Sequence, residues 1–161
     1  MELRRSLPGE LPEVGELTVT AYEEFTRGPS DGYVAQLRDA GRRFREAELW
    51  VAVDAGGLLG TVTCCPPGSP WREIAQHDHE GEFRMLAVHP RGRGRGVGTA
   101  LVRLCEERAR AHGATTLLLS SLPVMADAQR IYRARGFRRA PELDWDPVPD
   151  VHLVAFRKEL T

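Results

Sequence analysis

The chain has 161 residues, a length typical of one compact domain. Its formal net charge of −1 excludes the strong positive field with which nucleic-acid-binding and membrane-surface proteins attract their ligands. No apolar run reaches the roughly 18 to 20 residues of a membrane span, and the N-terminus lacks the basic and apolar regions of a signal peptide. We therefore expect a single soluble domain over residues 1–161 that stays in the cytoplasm.

The N-terminal half predicts an edge strand, two helices and an antiparallel hairpin. In chain order these elements cover residues 2–5, 13–26, 31–46, 49–53 and 58–65. Asp31 is a suitable N-cap for the second helix, which the helical spacing of its apolar residues predicts to be continuous. Gly56-Gly57 supplies the turn of the hairpin.

The C-terminal half predicts alternating strands and helices. The elements cover residues 83–88, 96–112, 117–120, 125–135 and 151–156. Apolar residues form one stripe on the helix over 96–112, so one of its faces packs on a sheet. Two long irregular segments, 71–81 and 141–150, remain without predicted secondary structure.

Three cysteines, Cys64, Cys65 and Cys105, do not have the spacing of a zinc site. An odd count with two adjacent members also argues against a disulfide framework. We expect all three to be reduced, buried, small hydrophobic residues, and we expect no bound metal.

A glycine-rich segment from Arg91 to Thr99 joins a buried strand to a helix. Glycines leave successive backbone N–H groups accessible, and the start of a helix favours an anion such as a pyrophosphate. The segment lacks the lysine of a Walker A loop, and Leu101 stands where the dinucleotide fingerprint needs a third glycine or an alanine. A flexible, solubilising surface loop is the alternative without function.

Two blocks of sequence resemble the GNAT acetyltransferase superfamily. The first runs from Met85 to Pro90 and continues through Arg93-Gly94-Arg95-Gly96-Val97-Gly98, and the second runs from Ala128 to Phe137. They are similar to the family's strand and R/Q-x-x-G-x-G/A turn, and to its late helix with Ala-x-x-x-Tyr and a closing Gly-Phe. The resemblance covers about residues 49 to 140 well.

The resemblance implies an α/β fold of mixed type. A twisted mixed sheet of about six to seven strands would be flanked by about four helices, with two parallel strands splayed apart at the cofactor site. It also implies acetyl-CoA as cosubstrate. Backbone groups around Leu86, Ala87 and Val88 would hold the acetyl and pantetheine portion. The pyrophosphate would contact the residues of the turn, namely Arg93, Gly94, Arg95, Gly96, Val97, Gly98 and Thr99.

The same resemblance suggests Tyr132 as the general acid for the departing thiolate. Its alternative role is a core aromatic residue. Glu82 is the candidate general base, acting directly or through a water, and its alternative is a solvated strand end. His77 and His79 are rival bases by their ordinary pKa. Met125 stands where many members of the family have Asn.

The two irregular segments contain Trp71, Trp145 and the acids Glu73, Glu142, Asp144 and Asp146. An acidic, aromatic rim would suit a cationic amine, whereas tryptophans in the core and acids in water are the simpler interpretation.

The favoured hypothesis for function is transfer of an acetyl group to the primary amine of a small molecule, peptide or protein, with a homodimer possible. The alternatives are a non-catalytic acyl-CoA sensor or scaffold and an RNA-binding arginine-glycine tract, which the net charge disfavours. We expect neither a nucleic-acid nor a membrane partner.

Overall fold

The computed structural model describes residues 1–28 and 30–161. Within these residues the chain forms five α-helices and eight β-strands. The helices are α1 (Leu11–Tyr22), α2 (Gly32–Arg38), α3 (Ala40–Glu46), α4 (Val97–Ala111) and α5 (Ala126–Ala134). The strands are β1 (Glu2–Arg5), β2 (Glu48–Asp54), β3 (Gly57–Cys65), β4 (Glu80–Val88), β5 (Thr116–Ser121), β6 (Arg138–Arg139), β7 (Trp145–Val148) and β8 (Val151–Glu159).

One mixed sheet organises these elements. Its order is β1-β2-β3-β4-β5-β8-β6, and β7 also pairs with β8. The neighbouring strands are antiparallel except β4 and β5, which are parallel. The predicted fold class is confirmed, and the short strands β6 and β7 raise the count above the six to seven expected.

Helices cover both faces of the sheet. On one face α4 buries its predicted apolar stripe, including Val97, Leu101 and Cys105, in the largest hydrophobic cluster. On the other face α1 packs Val14 and Leu17 in a second cluster with residues of β2, β3 and β4. Burial of each such side chain stabilises the fold by about 1.5–3 kcal/mol relative to exposure, so the two clusters hold the sheet from both sides.

The predicted single helix over 31–46 is wrong, because the chain breaks at Asp39. This residue leaves helical geometry with a ψ of 67°, and its side chain accepts a hydrogen bond from Arg42 N at the start of α3. Arg43 then extends back from α3 and donates from Nη1 to the carbonyl oxygens of Gln36 and Leu37 at the end of α2. Apolar spacing alone did not show that Asp39 is itself an N-cap.

The two irregular segments contain more structure than their sequences predicted. Residues 145–148 form β7, which pairs with β8 through Trp145–Leu153 and Val148–Val151. Glu80 and Gly81 are the first residues of β4. Residues 66–79 contain turns and bends without helix or strand.

The cysteine prediction is confirmed for all three residues. Cys64, Cys65 and Cys105 are buried free thiols, and the Sγ atoms of Cys64 and Cys105 are 3.2 Å apart. In the described part of the chain, no group of three or more His, Cys, Asp or Glu side chains could hold a metal ion. No helix among residues 1–28 and 30–161 has the length and hydropathy needed to cross a membrane.

Candidate active site

A gap between β4 and β5 divides the middle of the sheet. Their parallel pairing runs only from Glu80–Thr116 to Glu82–Leu118, after which the strands separate, so the splayed pair is confirmed. No strand of the described chain pairs with the β5 side of β4 over residues 83–88. A cavity of about 490 Å³ opens at this gap. Backbone hydrogen-bonding groups there are available to a bound molecule of small-ligand size.

A β-bulge in β4 lies at the edge of the cavity. The register against β3 shifts at Met85, which has a positive φ of 56°. Because of the bulge, Arg84 and Met85 both contact Trp71 instead of pointing to opposite faces. Phe83 and Leu86 pack on the other face, in the cluster that contains α4. Side chains of β4 therefore line the cavity on both faces of the sheet.

The turn between β4 and α4 leaves its backbone open. Gly94 and Gly96 have φ of 73° and 79°, a conformation that costs other residues about 1–2 kcal/mol. A Cβ at either position would meet no other heavy atom of the described chain within 4 Å. Gly96 is the N-cap of α4 and supplies no side-chain cap, so the N–H groups of the first turn, from Val97 to Thr99, are available to an anion.

Gly98 differs from the other glycines of the turn. It is buried, and a Cβ there would lie 2.7 Å from Cδ1 of Ile131 on α5. This glycine therefore permits close packing of α4 against α5, while Gly94 and Gly96 shape the open backbone.

The arginines of the turn are divided between two roles. Arg91 Nη2 and Arg95 Nη1 lie 3.4 Å and 3.2 Å from the two carboxylate oxygens of Asp54. Arg93 is exposed and forms no ion pair with any described residue. The arginine-glycine run is thus a turn fixed between a strand and a helix, whereas RNA-binding tracts of this kind are extended segments with many repeats.

Tyr132 lies on α5 and lines the cavity, with only 5% of its surface exposed. Its ring packs edge-on against Phe83 and at tilted angles against Phe137 and Phe156. Burial raises the pKa of its phenol. The residue therefore combines a fixed core position with access to the cavity, and it stays protonated at neutral pH.

Glu82 is neither solvated nor at the strand end, because it is the third residue of β4 and 1% exposed. Its Oε1 accepts hydrogen bonds from the backbone N–H groups of Glu73, Ile74 and Ala75 at 2.9–3.0 Å. Oε2 is buried without a partner among the described residues. Burial raises the pKa of Glu82 to about 7 despite the three N–H donors. Glu82 is not among the side chains that line the cavity.

Two charged side chains in the cavity wall were missed or underrated by sequence reasoning. Arg84 Nε and Glu73 Oε1 form an ion pair of 2.9 Å. Glu73 was expected only as one of several acids on a rim, and Arg84 was not singled out. An arginine inside the apolar run from Phe83 to Val88 was the available signal, because a buried arginine requires a partner.

The remaining candidates are spread around this centre. The rings of His77 and His79 stack on each other at 5.4 Å in an exposed segment outside the cavity wall. Met125 lines the cavity and is the N-terminal flanking residue of α5. Trp71 is buried, and Trp145 donates to Ser120 Oγ. The acids Asp144 and Asp146 contact Arg139 and His152, respectively, and Glu142 is exposed. Of the four acids predicted for a rim, Glu73 is the one that lines the cavity.

Comparison with known proteins agrees with this geometry. The sequence model described as "Acetyltransferase (GNAT) family" matches residues 13–137. Mycothiol acetyltransferase from Cellulomonas flavigena is 32% identical over 134 residues, which are 78% of this chain and 38% of that protein. The chain thus spans well under half the length of this relative.

Two solved structures share the fold over 99% of the chain. Ribosomal-protein-alanine N-acetyltransferase from Brucella melitensis superposes with a TM-score of 0.73 at 19% identity, with all of its chain covered. The Salmonella typhimurium protein yncA, solved with its cofactor acetyl-CoA, superposes with a TM-score of 0.72 at 17% identity over 94% of its chain.

Proposed function

This chain belongs to the GNAT acetyltransferase family, and we propose that it uses acetyl-CoA as cosubstrate and acetylates the primary amine of an acceptor by direct attack on the thioester. The observation that supports this proposal best is the continuity of the site. The gap beside β4, the open glycine turn and the start of α4 follow one another within residues 83–99.

In this proposal the backbone of the glycine turn binds the pyrophosphate. Gly94 and Gly96 let the phosphates approach, the N–H groups of Val97, Gly98 and Thr99 donate to them, and Arg93 adds an unpaired positive charge. Arg95 would have to share its charge with Asp54.

The pantetheine arm would follow β4 into the gap. Val88 and Ala87 pair with β3 on one side, and Leu86 lies beside the bulge. Their backbone groups on the β5 side would bind the arm, because strand β5 has already separated there. Acetyl-CoA supplies the acetyl group as an activated thioester.

The chemistry requires two proton movements. The bond between the amine nitrogen and the acetyl carbon forms, the carbon–sulfur bond breaks, the nitrogen loses a proton and the thiolate gains one. Tyr132 suits the second movement, since burial keeps its phenol protonated and it lines the cavity. Glu82 remains our candidate for the first movement. Its pKa of about 7 suits a base at neutral pH, and its position requires a relaying water.

The proposal extends to the setting of the enzyme. We place it in the cytoplasm, with a small-molecule, peptide or protein amine as acceptor. Homodimer formation and the absence of a nucleic-acid or membrane partner also stay predictions.

The test is release of CoA thiol from acetyl-CoA in the presence of a panel of amines, amino acids and peptides. We expect amine-dependent release, and we expect Tyr132→Phe to lower kcat about 10- to 100-fold while the Kd for acetyl-CoA changes less than about 2-fold. Tyr22→Phe is the comparison, because Tyr22 is another tyrosine that lines the same cavity. It should change acceptor KM more than kcat.

If the protein binds acetyl-CoA but no amine causes release of the CoA thiol, the result would support the alternative hypothesis of a non-catalytic acyl-CoA sensor. Equal kinetics for wild type and Tyr132→Phe would leave Tyr132 with a packing role only.

A further inference from the structure

The ion pair between Arg84 and Glu73 is a charged feature of a cavity wall that is otherwise largely apolar and aromatic. The Arg84 side chain is 10% exposed and that of Glu73 is 26% exposed. Both groups line the cavity beside the β4 bulge. A charge pair in the wall of a ligand-sized cavity has two roles open to it, which are to stabilise the wall or to bind a charged part of the substrate.

The guanidinium of Arg84 is held in place on several sides. Its Cζ lies 5.0 Å from the centre of the Trp71 ring, and Nη1 donates to the Trp71 carbonyl oxygen at 3.4 Å. The charge of Arg84 also lowers the pKa of Tyr33, but burial has the larger effect and raises that pKa overall. Burial disfavours the charge on Arg84, but the surrounding groups, with Glu73 first among them, together outweigh burial and raise the pKa of Arg84, so Arg84 is always a cation. This cation is therefore preorganised before any ligand arrives.

The contacts of Arg84 leave part of its hydrogen-bonding capacity unused. A guanidinium has five N–H donors arranged in a planar fork. The ion pair to Glu73 engages Nε, the Trp71 carbonyl engages Nη1 and the Tyr33 side chain takes a further hydrogen bond. These contacts do not use all five donors, and a fixed cation with spare donors in a cavity wall is the arrangement that binds a carboxylate.

We propose that the acceptor is an α-amino acid, or a close analogue, whose carboxylate binds Arg84 and whose amine lies beside Glu73. This inference rests on the proposed acetyl transfer and adds the substrate class. A zwitterion complements both members of the pair, whereas a simple amine leaves Arg84 without a new partner and a simple acid leaves Glu73 without one.

The distance along β4 supports a short acceptor. Arg84 lies two residues before Leu86, where the thioester is proposed to bind, so the ion pair and the reacting position are close neighbours on β4. The amine and carboxylate of an α-amino acid are separated by one carbon. A short acceptor of this kind therefore suits the site. Its ammonium first gives one proton to Glu82 through a water, and the nitrogen loses its second proton as the amide bond forms, while the departing thiolate takes a proton from Tyr132.

Apolar residues elsewhere in the cavity wall favour an apolar side chain on that amino acid. The wall away from the ion pair includes Phe25, Met125, Val148 and Leu153. We therefore choose L-phenylalanine and L-leucine as probes.

The experiment compares each amino acid with its amide and its decarboxylated amine, using purified enzyme and acetyl-CoA. For phenylalanine the partners are L-phenylalaninamide and phenethylamine. We expect kcat/KM to be at least about 100-fold higher for the amino acid, because a site built around a charged hydrogen bond rejects the analogue that lacks it.

Three variants separate direct recognition from a structural ion pair. Arg84→Gln should lower kcat/KM for the amino acid about 100-fold and abolish the preference, and Arg84→Lys should restore part of it because the charge remains without the fork. Glu73→Gln should retain the preference for the carboxylate but lower kcat/KM for every acceptor, since the ammonium loses its partner. Calorimetric Kd for acetyl-CoA serves as the folding control for each variant.

The inference is overturned if wild type acetylates the amines or amides as well as the acids, or if Arg84→Gln lowers kcat/KM for acids, amides and amines by the same factor. Neither result would touch the proposed acetyl transfer. If no probe is acetylated, the inference is tested by calorimetric titration of each amino acid into enzyme saturated with CoA. Binding that is lost in Arg84→Gln supports the inference, and no binding overturns it. Absence of both acetyl-CoA binding and thiol release would instead overturn the proposed function itself.

Discussion

The cosubstrate end of the site and the acceptor end are built in different ways. Residues 83–99 supply the whole proposed cosubstrate surface as one continuous segment, and most of it is backbone. The acceptor end gathers side chains from α1, from the segment around Glu73, from Arg84 and from the β7–β8 hairpin. The first surface depends on glycine conformation, and the second depends on where distant segments meet.

The difference has a consequence for how each end tolerates change. A backbone surface fails when a side chain or a strained φ is introduced. A surface of converging side chains changes selectivity one residue at a time, because each wall segment is attached to a different part of the sheet. The two ends should therefore separate cleanly in binding and kinetic measurements.

The largest effect is expected for a side chain in the glycine turn. Gly96→Leu should weaken acetyl-CoA binding at least about 100-fold, as measured by calorimetry, because its side chain would occupy the proposed pyrophosphate site on the glycine turn. Gly113→Leu is a matched control at the other end of α4. Gly113 has a φ of 83° against 79° for Gly96, and a Cβ at either position meets no described heavy atom within 4 Å.

Both variants carry the same backbone strain of about 1–2 kcal/mol, so they should lose similar stability. Only Gly96→Leu should lose cosubstrate affinity. Similar affinity losses in both variants would show that backbone strain at the ends of α4, and not occupation of the proposed pyrophosphate site, weakens binding.

The next effect is expected at Glu82, which joins the two ends. It lies on β4 and holds the backbone of residues 73–75. Its folded pKa of about 7 is raised above the ordinary value of 4.5, so its contribution to stability is complete below pH 4.5 and is lost as pH rises through 7. Glu82→Gln keeps an acceptor for the three N–H groups and removes this penalty. Denaturant unfolding should show the variant about 3 kcal/mol more stable than wild type at pH 8, with the difference vanishing below pH 4.5.

A stability difference that does not vary with pH would contradict the raised pKa. For Glu48→Gln we expect a stability change of the opposite sign. Burial raises the pKa of Glu48, but hydrogen bonds from Arg108 and His112 outweigh burial and lower it to about 2. This variant should be less stable than wild type at neutral pH, and the gap should close as pH falls from about 4.5 toward 2.

The smallest effect is expected for Asp54→Asn. Asp54 contacts both Arg91 and Arg95 beside the proposed pyrophosphate site. Removal of its charge should strengthen acetyl-CoA binding about 3-fold at low ionic strength, with the gain disappearing in high salt. Acceptor KM should stay the same, because Asp54 lies outside the acceptor wall. Weaker cosubstrate binding in this variant would mean that Asp54 positions the arginines productively instead of competing for them.

Sequence reasoning was most successful where structure is local. The hairpin, the apolar stripe of α4 and the glycine turn each follow from spacing within about 20 residues, and all three are present. It was wrong at Asp39, where one residue caps a second helix inside a regular apolar pattern, and at residues 145–148, whose strand forms by pairing with β8.

The sequence by itself determined the parts of this protein that are made of backbone and short-range pattern. These are the family, the mixed sheet, the open turn with Gly94 and Gly96, and the place of Tyr132 on the last helix. Tertiary structure alone decided that Glu82 is enclosed by three N–H groups and that Arg84 meets Glu73 in the cavity wall. Periodicity reports which face of an element is buried, but which charged groups meet there depends on the bulge in β4 and the path of residues 66–79, which no local pattern encodes.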